Sequence, residues 1–274
     1  MENFEGGTAV VTGGASGLGL AMAHRFAEAG MNIVLGDIEA EPLAMAEASI
    51  AARGVKVMPV RTDVAKAEEV EALAEKSYQR FGKVNVLCNN AGVGGSAGAS
   101  WELSRKDWEC GVRAFVPRMI AGGEAGHIVN TASVAGLVSG AVGAPYTVAK
   151  FGVVALSEHL YFELGRARHN IGVSVLCPGF VNTNIYDSAR NRQAEYGESG
   201  VTPTPEGEQR RAMLNAMREQ MMQPAEIGEL VFEAVRTRNL YIVPSGSEAL
   251  ETAIHTRLEN IVSRRNPEIQ LSIV

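Results

Sequence analysis

The sequence offers little that would direct the protein to a membrane or to a nucleic acid. It has no run of about eighteen apolar residues, the length needed for a membrane-spanning helix. Its acidic start, Met1 to Glu5, lacks the basic and apolar regions of a signal peptide. The formal net charge of -6 argues against binding to phosphate backbones or to anionic lipids. These absences predict a cytoplasmic protein with no nucleic-acid and no membrane partner.

Cysteine is scarce, and histidine shows no metal-ligand spacing. Cys88, Cys110 and Cys177 lie far apart and form no CxxC pair, so they are predicted to be reduced thiols rather than a disulfide or a zinc site. The five histidines are His24, His127, His159, His169 and His255. No metal site is predicted.

The 274 residues fit a single α/β domain, residues 1–274, with one apolar core. Short apolar runs alternate with longer helical patterns, which is typical of βαβ units and a parallel sheet. Strands are predicted at 8–12, 32–36, 56–60, 84–88, 128–131, 173–177 and 240–243. Helices are predicted at 18–29, 41–52, 67–81, 108–121, 147–165 and 225–238, with a weaker amphipathic helix after Ser245. A polar loop of about 185–222 is either a plain surface connection or a lid over a substrate.

A glycine cluster follows the first predicted strand and opens the first helix. Thr12 to Gly19 reads TGGASGLG, so Gly13, Gly17 and Gly19 have the spacing G-x-x-x-G-x-G. Glycines at such a turn let the backbone approach a pyrophosphate, whose charge the helix N-terminus stabilises. Asp37 ends the second strand, where a carboxylate can accept hydrogen bonds from ribose hydroxyls and repel a 2′-phosphate. The neighbouring Ile38 offers no cation, so NAD is favoured over NADP, although Asp37 could also be a simple turn residue.

Polar residues also follow the third, fourth and fifth strands, at the carboxyl edge where ligands of parallel sheets bind. Asp63-Val64 follows the third strand and Asn89-Asn90-Ala91-Gly92 the fourth. Ser133 follows the fifth, and Tyr146 and Lys150 stand four residues apart on one helical face. An ammonium beside a phenol should lower the tyrosine pKa towards working pH, which suits a general acid or base. Ser133 could hydrogen bond to the same substrate oxygen.

Taken in order, these motifs together with Pro178-Gly179 resemble the short-chain dehydrogenase/reductase family over residues 7–245. The resemblance implies a doubly wound Rossmann sheet of about seven parallel strands in a three-layer α/β/α fold. It also implies hydride transfer between a nicotinamide and a small-molecule alcohol or ketone, and a homodimer or homotetramer. Ser133, Tyr146 and Lys150 would then be catalytic. The implied cofactor-binding residues are Gly13, Ser16, Gly17, Leu18, Gly19, Asp37, Ile38, Asp63, Val64, Asn90, Ala91, Gly92, Tyr146, Lys150, Pro178, Gly179, Val181 and Thr183.

The sequence departs from the family pattern between the fourth and fifth strands. Asp107-Trp108-Glu109 runs almost directly into Cys110-Gly111, as if roughly ten residues, close to three helical turns, were missing. No asparagine occurs in 93–126, so the fourth catalytic position of the family is absent. Val112, Phe115, Val116, Met119 and Ile120 still follow a helical period. Pro117, in their middle, should kink or end the helix, and the shortening puts the oligomer interface in doubt.

Three functions are compatible with these residues. The first is an active NAD-dependent alcohol dehydrogenase or ketone reductase. The second is an NAD-binding homologue of low or no activity, with a regulatory or structural role. The third is an epimerase or dehydratase on the same fold. The residues expected around the substrate favour an apolar secondary alcohol; they are Val93, Leu137, Val138, Phe180, Ile185 and Tyr186.

Overall fold

Seven parallel strands form the central sheet of the computed structural model, which describes residues 1, 3–92, 110–140, 143–185, 216 and 218–268. The strands are β1 (Thr8–Thr12), β2 (Asn32–Asp37), β3 (Val57–Arg61), β4 (Val86–Asn89), β5 (Gly126–Thr131), β6 (Ile171–Leu176) and β7 (Tyr241–Ile242). Their order is β3-β2-β1-β4-β5-β6-β7, and each neighbouring pair is parallel. The predicted doubly wound sheet is confirmed. Its order reverses between β1 and β4, where such folds bind ligands beyond the carboxyl ends of the strands.

Helices cover both faces of this sheet. They are α1 (Gly17–Glu28), α2 (Ala40–Ala51), α3 (Ala67–Phe81), α4 (Cys110–Gly122), α5 (Ala144–Arg166), α6 (Pro224–Thr237) and α7 (Glu248–Val262). Side chains of β1 alternate between the two layers, so Val11 packs towards α1 and α6 and Val10 packs towards α3 and α4. Because both faces are covered, the strands are almost continuously apolar. The three-layer α/β/α arrangement is therefore confirmed.

Helix α4 does not end at Pro117, so of the two predicted outcomes, a kink or an end, the end does not occur. The helix continues to Gly122 with Pro117 inside it. A proline removes a backbone donor and disturbs the preceding turn. The guanidinium of Arg118 donates to the main-chain oxygen of Ala114 at 2.6 Å, one residue after Arg113, whose main-chain oxygen is the one that lacks a donor at Pro117. Arg118 also pairs with Glu71 and so ties α4 to α3. The predicted apolar face is present, with Phe115 fully buried in the core.

A chain of side-chain hydrogen bonds fastens α5 to the sheet beneath the candidate site. The Asn89 amide donates to Asn130 Oδ1 at 2.9 Å, and the Asn130 amide donates to the Ser157 hydroxyl at 3.0 Å. Ser157 in turn donates to the main-chain oxygen of Val153 at 2.7 Å. Asn130 and Ser157 are buried, so these bonds satisfy polar groups that would otherwise be costly. These bonds fix the position of α5, including its first turns, relative to β4 and β5.

Candidate active site

The glycine loop between β1 and α1 forms a tight cradle. Gly13 and Gly17 have positive φ angles of 63° and 53°, which side chains rarely adopt. A Cβ on Gly19 would lie 2.0 Å from the Gly13 oxygen, so only glycine fits there. Ser16 stands at the N-cap position of α1, and Leu18 packs on the core. The first-turn N–H groups of α1 have no partner within the helix and are suited to a phosphate group.

Asp37 lies directly beside this loop. It is buried, and its carboxylate accepts hydrogen bonds from the main-chain N–H groups of Ala15 at 3.0 Å and Glu39 at 3.1 Å. The second bond spans two residues, as in an Asx turn, so the simple turn role is present. Each carboxylate oxygen can accept a further bond. Asp37 therefore shapes the turn and can still receive a ribose hydroxyl.

The structure brings a cation to this corner that the sequence reading missed. Arg61 is the register partner of Asp37 across β2 and β3, and its Nε donates to the main-chain oxygen of Ile38 at 3.3 Å. The sequence shows no cation next to Asp37, whereas the pairing of the parallel strands β2 and β3 places Arg61 opposite it. Asp63 lies at the same edge, where its carboxylate accepts from the Ala65 N–H at 3.1 Å. The side chain of Val64 packs on the core.

Asn90 acts as a brace between the ends of β1, β4 and β5, because its side chain hydrogen bonds within the protein. Its amide donates to the main-chain oxygens of Thr12 at 3.0 Å and Gly13 at 3.4 Å. Its side-chain oxygen accepts from the hydroxyl of Thr131 at 3.3 Å. The hydroxyl of Thr12 also accepts from the N–H groups of Asn90 and Ala91. Ala91 and Gly92 continue from this brace along the edge of the cradle.

The segment after β6 closes the cradle from the opposite side. A Cβ on Gly179 would lie 2.0 Å from the Ser245 oxygen, and Pro178 accepts from the Val134 N–H at 3.0 Å. Val181 is buried in the core. Thr183 reaches the N-terminus of α1, so close that a Cβ on Gly17 would lie 3.3 Å from its methyl group. Residues that are far apart in sequence thus meet around one cleft.

Ser133, Tyr146 and Lys150 come together at the carboxyl end of β5. The Lys150 ammonium lies 5.4 Å from the centroid of the Tyr146 ring and donates to the main-chain oxygen of Thr131 at 3.0 Å. The Ser133 hydroxyl lies close enough to Tyr146 to lower the pKa of that phenol. It also accepts from the Ala135 N–H at 3.2 Å, which fixes its position at the start of a 3-10 turn. A hydroxyl, a phenol and an ammonium in this arrangement can hold an alcohol oxygen and exchange its proton.

The pKa values differ in part from the expectation. Burial raises the pKa of Tyr146 above its ordinary value, and the hydrogen bond from Ser133 opposes this rise only in part. The expectation that Lys150 lowers the pKa of Tyr146 is therefore wrong in direction, because burial dominates. Burial also lowers the pKa of Lys150 to about 8, against a smaller opposing effect of Cys177. The ammonium of Lys150 therefore loses its proton at a lower pH than an ordinary lysine does.

The residues predicted around the substrate are only partly within the described structure. Val138 is buried, and Leu137 packs on a small cluster with Val154 and Cys177. Phe180 is partly buried and Ile185 is exposed. Val93, Tyr186 and most of the loop 185–222 lie outside the described residues.

The donors and spaces present fit a nicotinamide dinucleotide. The cradle has no room for side chains at its glycines, α1 presents its N-terminus, and a buried carboxylate stands at the end of β2. Within the described ranges, no helix is long and apolar enough to cross a bilayer. Across those same ranges, no three histidine, cysteine or acidic side chains are grouped as metal ligands would be.

Comparison with known proteins identifies the class. The family model of the short chain dehydrogenases matches residues 7–194. The C alpha-dehydrogenase of a Sphingobium species is 32% identical over 255 residues, covering 89% of this chain and 82% of that protein. The 1-deoxy-11-beta-hydroxypentalenate dehydrogenase of Streptomyces exfoliatus is 37% identical over 206 residues, covering 71% and 74%. The protein belongs to the short-chain dehydrogenase/reductase family, as its motifs predicted.

Solved structures agree with this assignment. A short-chain dehydrogenase/reductase from Burkholderia phymatum, in complex with NAD, superposes with a TM-score of 0.90 at 39% identity and covers 100% of both chains. Two other similar structures, at 28% and 26% identity, contain NADPH. The chain is an NAD(P)-dependent oxidoreductase that acts on a secondary alcohol or the corresponding ketone.

Proposed function

We propose that the protein is an active dehydrogenase that prefers NAD and oxidises an apolar secondary alcohol to its ketone, or reduces that ketone. The convergence of Ser133, Tyr146 and Lys150 at the end of β5, beside an intact dinucleotide cradle, carries the proposal. The geometry favours this over a non-catalytic NAD-binding role, because such a role needs none of the three side chains. The geometry also favours a dehydrogenase over an epimerase or dehydratase, since no further acid or base is required to explain the cleft.

The residues divide the reaction between them. Ser133 and Tyr146 hold the substrate oxygen, and Tyr146 takes the hydroxyl proton in oxidation or returns it in reduction. Lys150 stabilises the phenolate that forms when Tyr146 is deprotonated, and it binds the nicotinamide ribose. The bound nicotinamide supplies the hydride acceptor or donor. Because burial raises the pKa of Tyr146, the free enzyme holds it protonated, which is the form needed for ketone reduction.

Preference for NAD rests on Asp37. A carboxylate fixed by the N–H groups of Ala15 and Glu39 would repel a ribose 2′-phosphate. The guanidinium of Arg61, a cation at this corner, is directed to the Ile38 oxygen. Comparing kcat/KM with NAD and NADP tests the preference, and a higher value with NADP would contradict it.

We assign the remaining cofactor contacts to the residues of the cradle. They are Gly13, Ser16, Gly17, Leu18, Gly19, Ile38, Asp63, Val64, Asn90, Ala91, Gly92, Pro178, Gly179, Val181 and Thr183. For Asn90 the contact is indirect, since its side chain is used within the protein. A cytoplasmic homodimer or homotetramer completes the proposal, supported by the acidic, cysteine-poor sequence and by the family.

The decisive experiment measures NADH formation across a panel of apolar secondary alcohols with the wild type and with Tyr146→Phe. We expect the substitution to lower the turnover by about a hundredfold or more, as is typical for loss of a general acid or base. Tyr161→Phe is a matched control, because Tyr161 lies exposed on the same helix, away from the cleft. Turnover that survives Tyr146→Phe would refute the assigned chemistry. Folded protein that binds NAD but turns over nothing in the panel would favour the low-activity homologue.

A further inference from the structure

The ammonium of Lys150 is held by a main-chain oxygen. It donates to the oxygen of Thr131 at 3.0 Å, and no carboxylate of the described residues lies within ion-pair distance of it. A lysine side chain has several rotatable bonds and loses much of its freedom when its end is fixed. The Thr131 carbonyl therefore determines where the charge of Lys150 stands relative to Tyr146.

That carbonyl belongs to a residue which is itself anchored. Thr131 is the last residue of β5, where the ladder of the sheet ends. Its hydroxyl donates to Asn90 Oδ1 at 3.3 Å, and the Asn90 amide donates to the main-chain oxygens of Thr12 and Gly13 at 3.0 and 3.4 Å. A continuous chain of hydrogen bonds thus runs from the Lys150 ammonium, through Thr131 and Asn90, to the glycine loop.

These hydrogen bonds matter because residues 93–126 contain no asparagine that could support Lys150 from α4. We propose that Thr131 is the positioning residue for Lys150, that it stands in for the absent fourth catalytic position, and that its hydroxyl couples the lysine to the dinucleotide cradle through Asn90. This inference rests on the proposed function, in which Lys150 stabilises the Tyr146 phenolate. Thr131 acts through Lys150 and touches neither substrate nor cofactor in this role.

The test replaces the hydroxyl and follows Lys150 directly. In Thr131→Val the side chain keeps its shape but cannot bond to Asn90, whereas Thr131→Ser keeps the hydroxyl. The rate of Lys150 acetylation by acetic anhydride, measured by mass spectrometry across pH, reports the pKa of the ammonium without any need for turnover. Loss of the bond to Asn90 leaves the main-chain oxygen of residue 131 in place but frees it to shift away from the Lys150 ammonium. A weakened acceptor disfavours the charged form, so we expect Lys150 in Thr131→Val to be acetylated about two- to tenfold faster near pH 7, at most the size of one hydrogen bond. The serine variant should match the wild type.

Turnover supplies the second measurement. Thr131→Val should lower kcat by about three- to tenfold, as expected for one weakened hydrogen bond, and leave the KM for NAD within about twofold. Thr131→Ser should restore kcat. Thr8→Val is the matched control: Thr8 lies on β1, two strands from β5 in the sheet, and its hydroxyl has no partner among the described residues. It should change neither measurement. If Thr131→Val does not fold, Thr131→Ala removes the same hydroxyl.

Two results would overturn the inference. One is an acetylation profile of Lys150 in the hydroxyl-deleted variant that superposes on that of the wild type. The other is a raised KM for NAD with unchanged kcat, which would mean that Thr131 supports only the cradle. Failure of the proposed function looks different, because turnover would then be insensitive to Tyr146→Phe whatever the acetylation of Lys150 shows.

Discussion

Acid should destabilise this protein through one buried histidine, His127 on β5. The His127 side chain is fully buried, and its Nε2 lies 2.8 Å from the hydroxyl of Ser174. That hydroxyl already donates to the main-chain oxygen of Asn239 at 2.6 Å, so it must accept from His127, which places the proton on Nε2. The other ring nitrogen, Nδ1, is buried with no partner in the described structure. Protonation there would create an unpaired charge in the core.

The pKa of His127 is accordingly lowered to about 3, chiefly by burial, with smaller contributions from the Met1 amino group and Arg238. In the unfolded chain the value is near 6.5. A lowered pKa in the folded state means that the full stability is present above pH 6.5 and is lost as the pH falls towards about 3. At 1.36 kcal/mol per unit, this group alone should remove about 1.4 kcal/mol by pH 5.5 and about 2.7 kcal/mol by pH 4.5.

Urea unfolding at pH 7.5, 5.5 and 4.5 measures the effect in the wild type and in His127→Val. The variant is expected to be less stable than the wild type at pH 7.5, because the smaller side chain leaves a void. The difference between the two free energies of unfolding should shrink by about 2.7 kcal/mol at pH 4.5. His255→Val, at an exposed position on α7, controls for removal of an imidazole from the unfolded chain. A difference that stays constant with pH would refute the reasoning.

Three further outcomes are expected. Gly19→Ala should abolish NAD binding in a calorimetric titration, since its Cβ would lie 2.0 Å from the Gly13 oxygen; binding within twofold of the wild type would contradict the described cradle. Thr8→Val should raise the free energy of unfolding in urea by about 1 kcal/mol, because it removes a buried hydroxyl that has no partner among the described residues; a loss of stability would argue against this. The rate of alcohol oxidation should rise with pH from about 6 towards 8, because the raised pKa of Tyr146 keeps its base form scarce while Lys150, with a pKa of about 8, is still charged; a rate that falls over this range would argue against Tyr146 as the base.

The sheet was largely predictable from the sequence because its signals are local. The apolar runs that gave β1 and β2 place them within a residue of their observed bounds, and helix α3 spans the predicted residues 67–81. Periodicity and glycine placement act over a few residues and survive into the fold. Pro117 shows the limit of such rules, since helix α4 continues past it although a proline removes a backbone donor.

The site was less predictable because its properties depend on what surrounds each group. The sequence placed Tyr146 and Lys150 on one helical face, but the direction of the Tyr146 pKa shift depends on burial, which spacing does not reveal. Asn90 was predicted to bind the cofactor, and spacing did not reveal that its hydrogen bonds join strands separated by more than seventy residues. Strand pairing, which the local sequence does not reveal, makes Arg61 the register partner of Asp37. Contacts between distant segments thus account for each of these differences.

The packing of His127 against Gly172 constrains how the two positions can change over evolutionary time. A Cβ on Gly172 would lie 2.4 Å from Nδ1 of His127, so the imidazole occupies the space that the glycine leaves free. A lineage could acquire alanine at 172 only after the side chain at 127 had become smaller, and the reverse order would pass through a damaged intermediate. The two sites are therefore epistatic, and their residues should be inherited as a pair: a ring opposite glycine, or a small aliphatic side chain opposite alanine.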